Sequence, residues 1–400
     1  MGAVRSRLDR RGMSVVACAH ALADCCQGAV PALLPFLVAE HGWSYATASS
    51  LILAGTLASS IIQPAFGVVA DRRSLAWLMP VGIFAGSLGI GLAAVAPSFP
   101  LAFAAIVVGG LGVAAFHPEG SRYANYLSGE RRATGMSFFS LGGNAGFALG
   151  PALVTPAVVL FGLPGALLLT VPGALVALWI ARELPRLRTF HPAAPEPGDP
   201  AAGRDDWPAF GRLGVVIAAR TFAFFGLLTF VPLYFVDVLH ASEEAGNTAL
   251  TVFLAGGAAG TLLGGPLADR FGRRAVMVGA LLLVGPLVLL FLEAPKALAT
   301  PLLFVVGAAT IATFSVTVVM GQELLPNRIG VASGLTLGLA IGLGGMSAPL
   351  LGLLADAQGL TATLQLVAVL PLLGVAAALT LPTRAAPGAS PRAARERPAA

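Results

Sequence analysis

Apolar residues along this chain come in runs of about twenty, the length a helix needs to cross a bilayer core of about 30 Å. The runs fall near 14–39, 45–69, 75–96, 99–125, 133–158 and 163–182, then near 211–238, 245–268, 274–293, 297–320, 330–355 and 360–381. Six runs, a polar stretch and six more predict an all-α membrane protein of twelve transmembrane helices in two six-helix halves. The units read as 1–182 for the first bundle, 183–209 for a linker, 210–382 for the second bundle and 383–400 for a tail. The linker is rich in proline and charge (Pro185, Pro192, Pro195, Pro197, Pro200, Asp199, Asp205, Asp206) and has no helical apolar period, so it reads as a flexible surface segment. The tail is low-complexity Pro/Ala/Arg and reads as disordered.

Composition agrees. Hydrophobic residues make up 56% and charged residues 11%, with a mean hydropathy of +0.84, whereas a soluble domain carries about 25% charge. A net charge of +5 and a pI near 9.6 would suit a nucleic-acid binder, but the basic residues lie in short loops and tails. Of the 24 Lys and Arg, all but Lys296, Arg122 and Arg220 fall on the side of the N-terminus. That asymmetry predicts cytoplasmic termini and excludes the need for a polyanionic partner. Cys18, Cys25 and Cys26 share the first run and read as small packing residues, not as a disulfide or metal framework. Arg5, Arg7, Arg10 and Arg11 before an apolar stretch imitate a signal peptide, and Leu22-Ala23-Asp24-Cys25 imitates a lipoprotein box. With so many runs behind it, the segment reads as an uncleaved first helix.

The halves repeat each other. Gly67-Val68-Val69-Ala70-Asp71-Arg72 recurs 198 residues later as Gly265-Pro266-Leu267-Ala268-Asp269-Arg270, and Ala133-Thr134-Gly135 recurs 199 later as Ala332-Ser333-Gly334. Such parallel repeats characterise secondary transporters with a substrate site between the halves. The fuller second copy continues through Gly272, Arg273 and Arg274 and resembles the cytoplasmic loop signature of the major facilitator superfamily; the first copy lacks the second glycine. The resemblance implies a conformational switch. Glycine would let the backbone approach a neighbouring helix, while the carboxylate faces a helix N-terminus or a loop arginine. A plain positive-inside turn is the alternative. In the fifth run, Gly146, Gly150 and Pro151 resemble the glycine-proline signature of the superfamily's antiporters, and tight packing would need the same glycines.

The sharper resemblance is to the fosmidomycin-resistance group of bacterial facilitators. It rests on Phe116-His117-Pro118-Glu119-Gly120-Ser121-Arg122, Ser128-Gly129, Gly142-Gly143-Asn144, Ala19-His20 with Asp24, Gln63-Pro64, Gly264-Gly265-Pro266, Arg328-Ile329-Gly330 with Ser333-Gly334, and Leu354-Ala355-Asp356. It covers nearly the whole chain and implies a monomeric, proton-coupled exporter of small drugs in the bacterial inner membrane. The fourth run departs from wider drug exporters of the superfamily, having no arginine in its outer half.

Charges within apolar runs cost at least about 2.5–3.5 kcal/mol each, so they point to function. At 1.5 Å per residue, His20 lies about 9 Å and Asp24 about 15 Å in from the terminal side, and Arg220 about 14 Å. Running the other way, Glu119 and His117 lie about 9–12 Å from the same surface. A cavity between the first, fourth and seventh helices is expected to gather all five. Asp24, Glu119, His20 and His117 are the expected proton carriers, since burial favours a neutral carboxyl group and histidine titrates near neutrality. Arg220, with Asn144 and Arg122, is expected to hold an anionic substrate group. Two alternatives stay open: Glu119 and Arg122 form an internal ion pair, or His117 bonds a backbone group freed by Pro118. Asp237 and Asp356, at helix ends, read as solvated anchors.

These residues predict proton-coupled efflux. Proton-coupled uptake of a small anion, a membrane-embedded enzyme and a non-transporting receptor are the rivals. No zinc-spaced cluster, nucleophile elbow or phosphate loop is present, and His117 with Glu119 is too thin for a metal site. No cofactor, metal or nucleic-acid partner is expected, only substrate, protons and lipid.

Overall fold

The computed structural model describes residues 8–72, 75–129, 131–190 and 204–382. The tail and residues 191–203 of the expected linker lie outside them, and so do the side chains of Gly67, Asp71 and Arg72.

Among the described residues the chain is helical without strands: α1 (Arg10–His41), α2 (Tyr45–Arg72), α3 (Leu78–Ala94), α4 (Phe99–Ser128), α5 (Arg132–Phe161), α6 (Thr170–Leu187, after a 3-10 stretch), α7 (Trp207–Asp237), α8 (Glu243–Phe271), α9 (Arg273–Glu293), α10 (Lys296–Ile311), α11 (Phe314–Leu324), α12 (Ile329–Val369) and α13 (Pro371–Leu379). Nine described stretches are long and apolar enough to cross a membrane. One of them, Ala340–Leu379, doubles back at Gly359, whose φ of 85° ends the helix. The reversal shows at Gly226, where a Cβ would meet both Leu351 and Val367. With α2 and the shorter α3, the rods number twelve. Their outer faces carry Leu160, Leu175, Leu262 and Leu373, each more than 60% exposed, as a lipid-facing surface requires.

Two boundaries differ from the pattern. α6 runs to Leu187, past residue 182, because its last turn is tied down. Glu183 pairs with Arg11, and Arg186 reaches Asp9 at 2.6 Å. The tenth rod breaks between α10 and α11. α7 starts where Asp206 accepts from the Ala209 N–H at 2.9 Å, a side-chain cap followed by Trp207-Pro208.

Close backbone approach organises the packing. Along α1 and α5, a Cβ at Gly142 would lie 2.3 Å from the Ala17 carbonyl oxygen, one at Gly146 1.9 Å from that of Ala21, and one at Gly150 2.5 Å from the Ala29 nitrogen. The same device recurs in both halves: Gly110 lies against the Gly55 carbonyl, and Gly307 against that of Phe253. Small residues bring helices together where lipid supplies no hydrophobic drive.

Buried apolar side chains fall into three clusters. The largest joins both halves at the end farther from Arg10 and Leu379, running through Leu33, Leu51, Ile106, Phe230, Phe253 and Leu364. At the opposite end each half keeps its own: Val16, Phe116, Leu127 and Leu187 in the first, Leu213, Met277, Leu324 and Val375 in the second. The halves are joined at one end and parted at the other.

Candidate functional site

Where the shared cluster gives way to the separate ones, a cavity of about 270 Å³ opens between the halves. From the first half it is lined by Asp24, Gln27, His117 and Asn144, from the second by Arg220, Thr221 and Thr261, with Phe147, Phe224, Phe225 and Phe314 among its walls. A mostly apolar lining with a few convergent polar groups is the usual make-up of a small-molecule site.

Asp24, His20 and His117 form one constellation. His20 is one turn before Asp24 on α1 and puts Nε2 3.3 Å from Asp24 Oδ2. His117, on α4, puts Nε2 3.2 Å from Oδ1, and Gln27 donates to Oδ1 at 3.2 Å. The other ring nitrogens are committed to carbonyl oxygens: His20 Nδ1 to Phe139 at 2.8 Å and His117 Nδ1 to Val113 at 2.9 Å. A carbonyl only accepts, so each Nδ1 carries a hydrogen, and a neutral ring then turns a bare Nε2 lone pair toward the carboxylate. Each Nε2–carboxylate contact is attractive only with a proton in it. The cluster can therefore hold up to two protons in those contacts. His20 also stacks on Phe139 with centroids 4.0 Å apart, which fixes its ring plane.

Pro118 does not redirect His117 as the sequence allowed. The carbonyl deprived of its donor by Pro118 is that of Ala114, four residues back, and His117 bonds Val113 instead. Gly143 on α5 closes the constellation: a Cβ there would lie 2.6 Å from Asp24 Oδ2 and 2.7 Å from His20 Nε2. Sequence reasoning named this glycine only within Gly142-Gly143-Asn144 and gave it no place in the site.

Arg220 stands on the far wall. It is 3% exposed, its guanidinium lies 5.2 Å from the Phe314 ring centroid, and its one hydrogen bond is to Thr221 Oγ1 at 3.4 Å. Among the described residues it has no ion-pair partner, and its buried Nε has no hydrogen-bond partner. A stacked cation facing a cavity is suited to an anionic ligand.

Glu119 and Arg122 do not join the cavity. Arg122 donates to both Glu119 oxygens at 2.8 and 2.9 Å, and the Leu75 N–H donates to Glu119 at 2.8 Å. Helix rotation is the reason: residues two apart point about 200° from each other, so His117 and Glu119 cannot share a face. Depth alone had placed them together.

The loop motif also departs in detail. A Cβ at Gly265 meets nothing within 4 Å, whereas one at Gly264 would be 1.9 Å from the Ala312 carbonyl oxygen, so the close approach belongs to Gly264. Gly272 takes a φ of 87° between α8 and α9. Arg273 pairs with Glu323 on α11, Arg270 lies beside the Phe271 ring, and Asp269 is exposed, with no ion pair among the described residues. Pro151 is buried within α5 beside Gly150. At the joined end, Asp356 accepts from the Tyr45 and Ala46 N–H groups at 2.8 and 3.0 Å, and Tyr45 donates to Asp237 at 2.8 Å. These carboxylates bind across the halves rather than anchoring in solvent, and Asn247 adds a bond to the Ala32 carbonyl at 2.9 Å.

The family model described as Major Facilitator Superfamily matches residues 16–349 and 213–400. The chain is 37% identical over 373 residues to a Bacillus subtilis (strain 168) protein named "Uncharacterized MFS-type transporter YfnC", and 32% identical over 369 residues to the Escherichia coli (strain K12) "Fosmidomycin resistance protein", each covering 91% of both chains. Among solved structures, a bacterial homologue of the human lysosomal transporter Spinster, inward-facing and occupied, superposes with a TM-score of 0.76 at 16% identity, covering 92% of this chain and 95% of that one. A mutant of the nucleoside transporter NupG gives 0.71 at 16% identity, covering 92% and 98%. The chain is a multi-pass membrane protein belonging to the Major Facilitator Superfamily of transporters.

Proposed function

We propose that this transporter exports a small drug or metabolite carrying an anionic group, in exchange for protons, across the bacterial inner membrane as a monomer with both termini in the cytoplasm. One observation carries the reading: Asp24 and His117 of the triad on one half, and on the other a buried cation with no ion-pair partner among the described residues, line the same cavity. Asp24, His20 and His117 load and release protons, Arg220 holds the anion, and Asn144 offers a neutral polar contact beside them. The halves rock about the cavity so that it opens to either side in turn. Glu119 and Arg122, locked together, brace α4 against the residues before α3. The second copy of the loop motif, from Gly265 to Arg273, serves the rocking through the Gly272 turn and the Arg273–Glu323 pair, and the first copy at Gly67, Asp71 and Arg72 is its counterpart. The name of the Escherichia coli relative makes fosmidomycin the first cargo to try. An unpaired arginine would equally serve uptake of a small anion with protons, so direction is part of the test.

The test uses proteoliposomes under an imposed pH gradient, with wild type compared against Asp24→Asn. Accumulation against the substrate gradient, driven by the pH gradient in the exchange direction and abolished in a correctly folded Asp24→Asn, is the expected result. Cotransport in the same direction as protons would replace export with uptake. Unchanged coupled flux in the variant would remove the triad from the mechanism.

A further inference from the structure

The triad has a second chemical capacity. Two imidazole Nε2 atoms and a carboxylate, all within 4.8 Å of one another, make a donor set that suits divalent first-row transition metals better than hard magnesium or calcium. Around a tetrahedral ion with bonds of about 2.0–2.1 Å, neighbouring ligand atoms stand about 3.3 Å apart. The two Nε2 atoms already approach the carboxylate to 3.3 and 3.2 Å, His20 at Oδ2 and His117 at Oδ1. The two rings stand edge-on, 5.1 Å apart at 89°, with both Nε2 atoms turned to the one carboxylate.

The surroundings match what holds a metal-binding histidine. Each ring gives its Nδ1 hydrogen to a backbone carbonyl, which selects the tautomer and aims Nε2 at the common point. Gly143 keeps clear the space that a Cβ would fill against His20 and Asp24. Asp24 and His117 line the cavity, so a fourth position faces it and could take water.

We propose that His20, Asp24 and His117 bind one divalent d-block ion of the zinc, nickel or copper class, in competition with the protons of the same cluster. The ion takes the Nε2 and carboxylate lone pairs, so it seats as the protons leave. With the ion bound, the protons cannot reload, and zinc outside or inside the vesicle stops coupled flux. The charged group facing the cluster across the cavity is Arg220, which lowers affinity for any cation there. Cys26 lines the same cavity and Cys25 lies beside Asp24 on the first helix, so both are part of the control.

The binding test does not depend on transport. The purified protein in detergent, with any histidine tag removed, is titrated with Co²⁺ and Cu²⁺ at two pH values, reading visible d–d absorption and nitrogen hyperfine splitting. One saturable ion per chain with two imidazole nitrogens is expected, weakening at least tenfold in His20→Gln and again in His117→Gln, and unchanged in Cys25→Ser/Cys26→Ser. Affinity should fall as pH is lowered. Absence of a saturable site, or equal binding by the His20→Gln/His117→Gln double variant with wild-type chromatographic behaviour, overturns the site. Zinc inhibition of flux is then measured in liposomes. If binding fails while pH-driven flux persists, the metal site falls and proton coupling stands. If binding holds while flux ignores the pH gradient, the reverse is true.

Discussion

Arg220 and Glu119 are both ionisable residues well inside the bundle, and their surroundings assign them different work. Arg220 has an aromatic ring beside it and, among the described residues, no carboxylate, so removing it should cost substrate and little stability. Arg220→Ala is expected to weaken binding of an anionic substrate roughly tenfold to a hundredfold, the loss of one charge-assisted hydrogen bond of about 1.5–3 kcal/mol. Arg220→Lys should recover only part of that, since an ammonium lacks the planar face that rests on Phe314. Equal affinity in all three proteins, measured by binding of the same substrate, would place the anion elsewhere. Glu119 is held by Arg122 and the Leu75 N–H. Glu119→Gln should therefore lower thermal stability, since breaking a buried pair costs about 3–5 kcal/mol. The proton-to-substrate ratio of whatever folds should be unchanged; a lost pH dependence would return Glu119 to the proton pathway.

At the scale of elements, the α1–α5 contact decides which glycines can change. Gly146→Ala forces a Cβ to within 1.9 Å of the Ala21 carbonyl oxygen, backbone that cannot step aside, and overpacking of this kind costs about 1–3 kcal/mol or more. Gly265→Ala, with nothing within 4 Å, should be tolerated or slightly stabilising, by up to about 1 kcal/mol of helix propensity. Thermal unfolding in detergent separates the two, and a Gly146→Ala protein as stable as wild type would refute the packing account. Much at this scale was legible beforehand. Twenty-residue apolar runs and the 198-residue repeat need only composition and period, and both survive in the rods and in the paired Gly110 and Gly307 contacts. Depth along α1, α4 and α7 pointed to one shared cavity; Asp24, His117 and Arg220 line one, and His20 stands behind Asp24 rather than on its wall. What depth omits is azimuth, which misplaced Glu119. Gly143 has no side chain to announce itself, and the bond from Tyr45 to Asp356 spans 311 residues, a separation no local pattern encodes.

Across the whole molecule, the cross-half bonds of Asp356, Asp237 and Asn247 sit with the apolar cluster that both halves share. Together they hold one end shut. Asp356 accepts from the first two N–H groups of α2, beside the Ser44 hydroxyl that caps the helix, and losing such bonds costs about 1 kcal/mol, a shift of roughly fivefold in an equilibrium between states. Asp356→Ala should thus populate forms open at that end, seen as broader distances between spin labels placed there on α2 and α12; an unchanged distribution would deny it a gating part. Cys18 offers a native reporter at the other end, because it is exposed while Cys25 and Cys26 are buried. Maleimide should modify Cys18 first, and more slowly as a substrate or variant closes that end. Modification of all three at one rate would contradict the parted arrangement. The shared cluster has one further consequence. Opening the end it occupies wets aliphatic and aromatic surface, and each Å² of such surface adds about 0.45 cal/mol/K to the heat capacity. The balance between the two faces of the transporter must then bend with temperature, so a plot of its logarithm against reciprocal temperature will be a curve rather than a line.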